Sequence, residues 1–274
     1  MTGGLRDNTE FWRVLASAAE VAGLLWEKGW AERNAGNLSF DVTDLVSAAD
    51  VSAAASGATR LPRSVPELDG RRILVTAAGS RMREIARDPD RFCGVLQCSS
   101  EGSRYQVVWE GCGAGAFVPT SELPSHLFIQ AALRRRRSPR WAVVHAHPTE
   151  LLALSHDRRV LGEAQLSRLL WAMHPEAVVV VPGGIGVVPY VLPGTVEQGL
   201  AAGAAMERHD LALWEKHGAV AAGATFAEAF DLLDTMNKAA RLLLLCRAAG
   251  YEPEGLTDAQ LDELRRACGS GTGA

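Results

Sequence analysis

The sequence predicts a layered α/β protein, and three patterns along the chain carry that prediction. An amphipathic helix covers residues 10–28, three short strands lie between residues 73 and 109, and helices alternate with strands from residue 120 onward. The chain has 274 residues, of which 47% are apolar and 22% are charged, as in ordinary globular proteins. We therefore take residues 1–274 as a single domain with a sizeable core.

The first helix is indicated by apolar residues three or four positions apart from residue 10 onward. Asn8 or Thr9 can cap its start, because short polar side chains accept hydrogen bonds from the first free backbone N–H groups. Gly29 is placed to end it.

The next part of the chain predicts a sheet. Residues 38–42 alternate like a half-buried strand, and residues 43–70 have no firm period and predict a surface segment with about one helical turn. Three further strands are predicted, the last two paired as a hairpin, at residues 73–76, 95–98 and 105–109.

From residue 120 the predicted order is helix, strand, helix. Thr120 or Ser121 caps the first of these helices, whose carboxyl end carries the arginine run 134–137. We interpret the run as a solvated helix end favoured by the helix dipole, with an anion site as the alternative. The further predicted helices are 149–155, 161–173, 195–208, 225–249 and one to about residue 267 behind a capping box at Thr257 and Gln260; the strands are 141–145, 177–181 and 211–215.

Charge and cysteine content exclude several classes of function. The formal net charge of -4 and the pI near 6.0 give no basic surface for nucleic acid or anionic membranes, so a small-molecule partner is expected. No secretion signal or stretch of about 18 apolar residues is visible, and the five cysteines contain no C-x-x-C pair. These features predict a cytoplasmic protein with reduced thiols.

The clearest chemical signal is the pair His145 and His147 at the end of a predicted strand. Residues i and i+2 of a strand project from the same face, so both imidazoles can reach one metal ion. His217 also follows a predicted strand and precedes a glycine, and a third histidine would complete a catalytic zinc site with one open position. On spacing alone, the pair is as compatible with ordinary packing as with metal binding, and His217 alone would be interpreted as a histidine satisfied in a turn. The remaining four are interpreted as surface or packing residues.

Two glutamates are candidate acid/base groups. Glu122 stands at the start of a predicted helix, where a carboxylate is also favourable for purely structural reasons. Beside a divalent cation, such a carboxylate can take a proton from the carbon next to a polarised carbonyl. Glu176 is a second candidate of this kind.

Three polar turns are candidate phosphate-binding segments, since free backbone N–H groups and hydroxyls gather at such turns. Turns are also rich in these residues for conformational reasons alone. The turns are Asn34-Ala35-Gly36-Asn37, residues 76–80 and Thr120-Ser121.

Together, four dispersed blocks resemble the class II sugar-phosphate aldolases, and within that family the enzymes acting on rhamnulose 1-phosphate. The blocks keep the family's order and spacing, and the resemblance extends from about residue 10 to residue 250. They are residues 28–39, Pro119-Thr120-Ser121-Glu122-Leu123-Pro124, His145-Ala146-His147 and Lys216-His217-Gly218.

The resemblance implies a three-layer αβα domain with a central, mostly antiparallel sheet. It implies that His145, His147 and His217 bind Zn²⁺, that Glu122 moves the proton at the nucleophilic carbon, and that Glu176 lines the same site. The expected reaction cleaves a ketose 1-phosphate to dihydroxyacetone phosphate and an aldehyde, L-lactaldehyde in the rhamnulose case. A homotetramer is implied as well. The implied phosphate contacts are Asn34, Asn37, Gly79, Thr120 and Ser121.

One residue departs from the family pattern. Where the rhamnulose enzymes have Gly-Ser-Gly-Lys after the strand, this chain has Ala77-Ala78-Gly79-Ser80, so Ala78 replaces a phosphate-binding serine. Losing one hydrogen bond to an anion costs about 1.5–3 kcal/mol of binding unless another group replaces it. The departure therefore weakens the expectation of a phosphorylated substrate more than that of the metal chemistry.

The alternatives within the same superfamily are a fuculose-1-phosphate aldolase and a pentulose-5-phosphate 4-epimerase. A different class of function is a non-catalytic interaction module like the adducin head, which keeps the fold and loses the metal ligands. The presence of all three histidines and Glu122 argues against such a module.

Overall fold

A nine-stranded sheet runs through the part of the chain that the computed structural model describes, residues 5–47, 49–51, 57–112 and 116–269. Its order is β2-β5-β4-β3-β1-β6-β9-β8-β7, and all neighbouring strands are antiparallel except the pair β7 and β8. The strands are β1 Asn37–Asp41, β2 Thr59–Arg60, β3 Arg72–Thr76, β4 Cys93–Ser99, β5 Arg104–Trp109, β6 Ala142–Ala146, β7 Gly186–Val188, β8 Leu211–Trp214 and β9 Gly218–Gly223.

Helices cover both faces of this sheet. Successive residues of β6 point to opposite faces of the sheet and belong to different hydrophobic clusters. Val144 packs with buried residues of the first and ninth helices, and Val143 packs with buried residues of the fourth and eighth. The predicted three-layer αβα arrangement with a mostly antiparallel sheet is therefore confirmed. The helices are α1 Thr9–Glu27, α2 Met82–Ile85, α3 Pro89–Phe92, α4 Leu123–Arg135, α5 Thr149–Leu154, α6 Glu163–Trp171, α7 Pro175–Val180, α8 Val196–Met206, α9 Phe226–Ala248 and α10 Asp258–Gly269, with 3₁₀ turns at Leu5–Asp7 and Pro66–Leu68.

The predicted first helix is confirmed with its caps. The Asn8 side chain accepts a hydrogen bond from the Phe11 N–H at 3.0 Å, and Gly29 follows the last turn with φ of 71°. Trp26 is 40% exposed and carries the Arg83 guanidinium over its ring, so it lies outside the buried stripe.

Two strand predictions need correction. Residues 177–181 were predicted as a strand, but α7 occupies this position, because Pro175 suits a first helical turn and His174 caps it in an extended conformation. Strand β1 was predicted as half-buried, yet Asn37, Leu38, Ser39 and Asp41 are all buried, since helices cover both faces at the centre of the sheet. Strands β7 and β9 were not predicted.

The helix that follows the polar turn at residue 120 begins later than predicted. Its cap residue is Glu122, while Thr120 donates its N–H to the Thr76 carbonyl at 2.9 Å and so belongs to the segment beside β3. The prediction that Thr120 or Ser121 caps α4 is therefore wrong.

The arginine run does lie at the carboxyl end of α4, but its side chains are not simply solvated. Arg134 stacks on the Trp141 ring at 3.8 Å, with its Nε 3.9 Å from the buried Asp41 carboxylate. Arg135 pairs with Glu67 and Glu207, and Arg136 pairs with Asp210. Because these cations have acidic partners, the run offers no support for an anion site.

The carboxyl-terminal predictions are largely confirmed. Thr225 caps α9, and Thr257 and Gln260 form the predicted capping box for α10. Within α9, Leu243 is buried and Leu245 is 56% exposed, so this helix is not buried on every side. The segment 43–70 contains β2 and one 3₁₀ turn, as a mostly irregular surface segment should; its residues 48 and 52–56 lie outside the described part.

None of the helices that the structure describes has the length and apolar character that a membrane-spanning segment needs. Cys93, Cys98 and Cys246 are free thiols, as predicted, and the side chain of Cys268 lies outside the described part.

Candidate metal centre

Three histidines converge at one edge of the sheet. His145 is the last residue but one of β6, and His147 directly follows that strand. His217 lies in the turn that joins β8 to β9. One ring nitrogen from each lies within 4.8 Å of the others, which is close enough to hold a metal ion. The predicted grouping is confirmed by this geometry.

Hydrogen bonds fix the orientation of two of these rings. The Nδ1 atom of His145 lies 2.9 Å from the Ala219 carbonyl oxygen on the neighbouring strand, and the Nδ1 atom of His147 lies 2.7 Å from Glu32 Oε1. Each acceptor places the ring proton on Nδ1 and leaves the Nε2 lone pair for a metal. Trp214 stacks on the His145 ring at 4.5 Å and fixes its plane.

The third ring is held differently. Gln198 Oε1 accepts the Gly194 N–H at 2.8 Å, which turns the amide nitrogen toward His217 Nδ1 at 3.0 Å. In this arrangement the His217 proton is on Nε2. Binding a metal through Nε2 requires that the proton move to Nδ1 and that the Gln198 amide present its oxygen there.

Burial keeps two of these imidazoles, those of His145 and His217, uncharged. It lowers the pKa of His145 well below its usual range and that of His217 to about 4, and the neighbouring histidines add to both effects. Metal ligands must be uncharged imidazoles, and at neutral pH both rings meet that condition; His145 already has its Nε2 lone pair free, whereas His217 must also move its proton to Nδ1.

Glu122 brings a carboxylate to the same place. Its Oε2 lies 3.3 Å from His145 Nε2, and its Oε1 lies 3.2 Å from His217 Nε2. Although Glu122 is the cap residue of α4, its side chain makes no capping hydrogen bond and points to the histidines instead. The side chain therefore does not cap the helix by hydrogen bonding, and an interaction with the helix dipole is the structural role to be compared with a catalytic one.

The contact between Glu122 and His145 indicates which group the site accepts. His145 carries its proton on Nδ1, so its Nε2 faces the carboxylate with a lone pair and has no hydrogen-bond partner among the described residues. Two acceptors thus face each other in a buried position, and a cation between them would satisfy both. The residues present fit a metal bound by three imidazoles.

Gly218 allows the histidines to come this close. A Cβ atom at this position would lie 2.5 Å from the Ala146 carbonyl oxygen and 2.8 Å from the His147 ring. Any side chain would push apart the two segments that carry the ligands.

A cavity of about 180 Å³ opens beside the histidines and Glu122. This volume is below the roughly 300–1,000 Å³ of pockets that enclose a drug-sized ligand, so it suits a small polar molecule. All five predicted phosphate contacts line it, namely Asn34, Asn37, Gly79, Thr120 and Ser121. Among the described residues, the N–H groups of Gly79 and Ser121 donate no backbone hydrogen bond, which leaves them for a ligand.

Ser80 does not replace the serine that is missing at position 78. Its hydroxyl donates to the Ala77 carbonyl oxygen at 2.7 Å, and Ala78 itself does not line the cavity. Ser80 lines the cavity, but its O–H is used within the turn and is not free for a ligand.

Glu176 lies elsewhere in the chain. It is exposed, accepts a hydrogen bond from His174, and lines a separate cavity of about 680 Å³ together with Lys28, Trp30 and Glu150. This cavity is larger than the one beside the histidines but contains none of the candidate metal ligands. Within one chain, Glu176 does not meet the residues with which it was predicted to act.

Sequence reasoning missed three residues that orient the site. Glu32 and Gln198 hold the rings of His147 and His217, and His126 is buried beside Asn37 rather than at the surface. The spacing of four between Glu122 and His126 on one helix face was the available signal for His126.

Comparison with known proteins agrees with this geometry. Residues 16–244 match the family described as "Class II Aldolase and Adducin N-terminal domain". The chain is 36% identical over 247 residues to rhamnulose-1-phosphate aldolase from Bacteroides thetaiotaomicron, covering 90% of both chains, and 35% identical over 254 residues to that from Pectobacterium atrosepticum, covering 89% of both. The solved structure of a sugar-phosphate aldolase from Thermotoga maritima is similar, with a TM-score of 0.76 and 34% identity over 90% of this chain and 100% of that one.

The close packing at Gly218 leads to a testable expectation. Gly218→Ala should reduce bound metal to well below one ion per chain and lower stability by about 1–3 kcal/mol, because the new methyl group meets backbone that cannot move freely. Metal content by plasma mass spectrometry and thermal unfolding measure the two effects.

Gly183→Ala is the matched control, because nothing lies within 4 Å of a Cβ atom there. It should keep both quantities near those of the unaltered protein. Full metal content and an unchanged melting temperature in Gly218→Ala would show that the histidines do not depend on this glycine.

Proposed function

The chain belongs to the class II aldolase and adducin N-terminal domain family and is a class II aldolase, and we propose that zinc is its metal and L-rhamnulose 1-phosphate its substrate. The products would be dihydroxyacetone phosphate and L-lactaldehyde. The observation that supports this proposal most is the placement of Glu122 beside three convergent imidazoles in a small polar cavity.

The donor set favours zinc. We propose His145, His147 and His217 as its ligands, since three neutral nitrogen ligands with an open position are typical of catalytic zinc. When bound, the ion supplies Lewis-acid polarisation of the ketose carbonyl.

Glu122 is the proposed acid/base. In the cleavage direction the C3–C4 bond breaks and its electron pair stays on C3, while the C4 hydroxyl gives up its proton to water as the aldehyde forms. Glu122, protonated from water, would deliver a proton to C3, and in the reverse direction it would remove that proton, so no net proton is gained or lost. Its carboxylate is 9% exposed and accepts a hydrogen bond from Asn37 Nδ2 at 2.7 Å, so its position is fixed and little water competes for it.

The phosphate would occupy the same cavity. Asn34, Asn37, Gly79, Thr120 and Ser121 are the proposed contacts, and they offer amides, hydroxyls and backbone N–H groups. No lysine or arginine is among the described residues that line this cavity, so neutral donors would hold the phosphate.

The choice of sugar follows from the relatives. The two curated relatives compared above are rhamnulose-1-phosphate aldolases and match about nine-tenths of this chain. We extend their substrate to this protein. We also propose that residues 1–274 form one catalytic domain.

Glu176 keeps its predicted place among the catalytic groups only as a proposal. It lies away from Glu122 within one chain, so a role in the reaction would require another copy of the chain to bring it near the cavity. The family resemblance implies a homotetramer, and the exposed Leu245 on α9 is compatible with a contact between copies. The free thiols fit a cytoplasmic enzyme.

The metal and the substrate can be tested together. We expect about one zinc per chain and retro-aldol cleavage of L-rhamnulose 1-phosphate that a chelator abolishes while much of the fold remains, because the metal polarises the carbonyl. A panel with L-fuculose 1-phosphate and a pentulose 5-phosphate, assayed with and without chelator, identifies the substrate. Full activity in metal-free protein would overturn the zinc proposal, and preference for another sugar would overturn the substrate alone.

Glu122→Gln separates the catalytic from the structural role of this side chain. Loss of the acid/base should reduce turnover by about a hundredfold to ten-thousandfold, while zinc content stays unchanged because the ligands are histidines. A role in the helix dipole alone would change stability by about 0.3–1 kcal/mol and leave turnover intact. Near-normal turnover at full zinc occupancy would remove Glu122 from the mechanism.

The proposed assembly has its own measurement. Light scattering at micromolar concentration should give the mass of four chains, about four times 29.3 kDa. A monomer under these conditions would contradict the tetramer, and with it any contribution of Glu176 from another copy.

A further inference from the structure

A chain of buried polar side chains runs from the interior of the protein to Glu122. His126, one helical turn after Glu122 on α4, is 2% exposed, and Ser39 and Gln130 are fully buried. Buried polar groups are stable only when hydrogen-bonded, so the partners of His126 indicate what it does there.

The partners of Asn37 define the direction of these bonds. Its Nδ2 lies 2.7 Å from Glu122 Oε2, and a carboxylate oxygen can only accept. The amide oxygen of Asn37 therefore faces the other way, toward His126 Nε2, which must be the donor in that short contact.

The remaining bonds follow from this one. Burial lowers the pKa of His126 to about 4, so its ring is neutral at pH 7 and carries one proton, which is on Nε2. Its Nδ1 then accepts from the Ser39 hydroxyl at 2.7 Å, and Ser39 Oγ accepts from Gln130 Nε2 at 3.3 Å. Gln130 also donates to the Trp141 carbonyl oxygen at 3.0 Å, which fixes its amide.

Gln130 thus donates to Ser39, Ser39 to His126, His126 to Asn37, and Asn37 to Glu122. All four of these hydrogen bonds point in the same direction, toward the carboxylate. We propose that His126 is a positioning residue for the acid/base: its Nε2–H holds the Asn37 oxygen, so that the Asn37 amide can present only its N–H to Glu122. This inference rests on the proposed role of Glu122. Without His126, the Asn37 oxygen loses its partner and the amide is free to rotate away from the carboxylate, which would displace Glu122.

The position of one carboxylate oxygen matters for proton transfer to carbon. A displacement of about 1 Å at a reacting group costs on the order of a hundredfold in rate. The other Glu122 contacts, to His145 and His217, do not set the orientation of Asn37. His126 is therefore expected to act on turnover and not on metal binding.

The test is a double-mutant cycle between His126 and Glu122. His126→Leu removes both ring nitrogens, and we expect kcat to fall by about tenfold to a hundredfold with zinc content unchanged. His126→Gln can still donate to Asn37 and should recover most of the loss. In the Glu122→Gln background, His126→Leu should change the residual rate by less than about twofold, because the group that it positions is gone.

His209→Leu is the matched control. This histidine is also held by a carbonyl, with Nδ1 2.8 Å from the Gly183 oxygen, but it does not contact the cavity beside the metal ligands. It should leave kcat unchanged in both backgrounds. Should His126→Leu fail to fold, Ser39→Ala is the smaller change, with an expected fall in kcat of a few fold that is absent in the Glu122→Gln background.

Failure of this inference differs from failure of the proposed function. Near-normal turnover in Glu122→Gln would remove the acid/base role itself. If Glu122→Gln is inactive while His126→Leu retains full kcat at full zinc occupancy, only the positioning role is wrong. An equal fold-loss in both backgrounds, or a loss that follows zinc content, would assign His126 a merely structural role.

Discussion

A carboxylate that is almost out of water beside neutral imidazoles is unstable unless donors and a cation compensate its charge. Glu122 is in this situation. Its two carboxylate oxygens lie 3.3 Å from His145 Nε2 and 3.2 Å from His217 Nε2. The surrounding structure supplies what this arrangement needs. Asn37 donates to one oxygen, Ala219 keeps the His145 proton on the far side of its ring, and Gly218 allows the ligand segments to approach.

The series of hydrogen bonds that leads from Gln130 to Glu122 depends on a match between β1 and α4. Polar side chains recur along the strand and along the helix at nearly the same distance. Polar residues recur every two positions on β1, at Asn37, Ser39 and Asp41, which is about 6.7 Å in a strand. On α4 they recur every four positions, at Glu122, His126, Gln130 and Arg134, which is about 6 Å in a helix. The two rows stay in register over three steps, so Asn37 meets His126, Ser39 meets Gln130, and Asp41 meets Arg134.

This register explains how much the sequence could predict. The histidine pair was readable because i and i+2 on a strand share a face, and α1, α9 and the capping box of α10 were readable from local periodicity and caps. Local patterns could not show that β1 and α4 face each other, so His126 was taken for an ordinary residue. They also misled at Pro175–Val180, where a short run of valines fits a strand or a helix equally well. Strand β9, Gly-Ala-Val-Ala-Ala-Gly, lacks large β-forming residues because α9 and the histidines pack closely against it.

The charge of the cavity connects metal binding with substrate binding. At neutral pH burial keeps His145 and His217 uncharged, and no lysine or arginine is among the described residues that line the cavity, so neither of these two rings nor any such side chain offsets the Glu122 carboxylate. A phosphorylated sugar that enters this space would be repelled by Glu122 at short range, and the neutral donors at Gly79 and Ser121 carry no net charge to offset that repulsion. A divalent cation held by the three histidines would reverse the sign of the site. Under the proposed function, the metal would therefore favour binding of an anionic substrate as well as supply Lewis-acid chemistry.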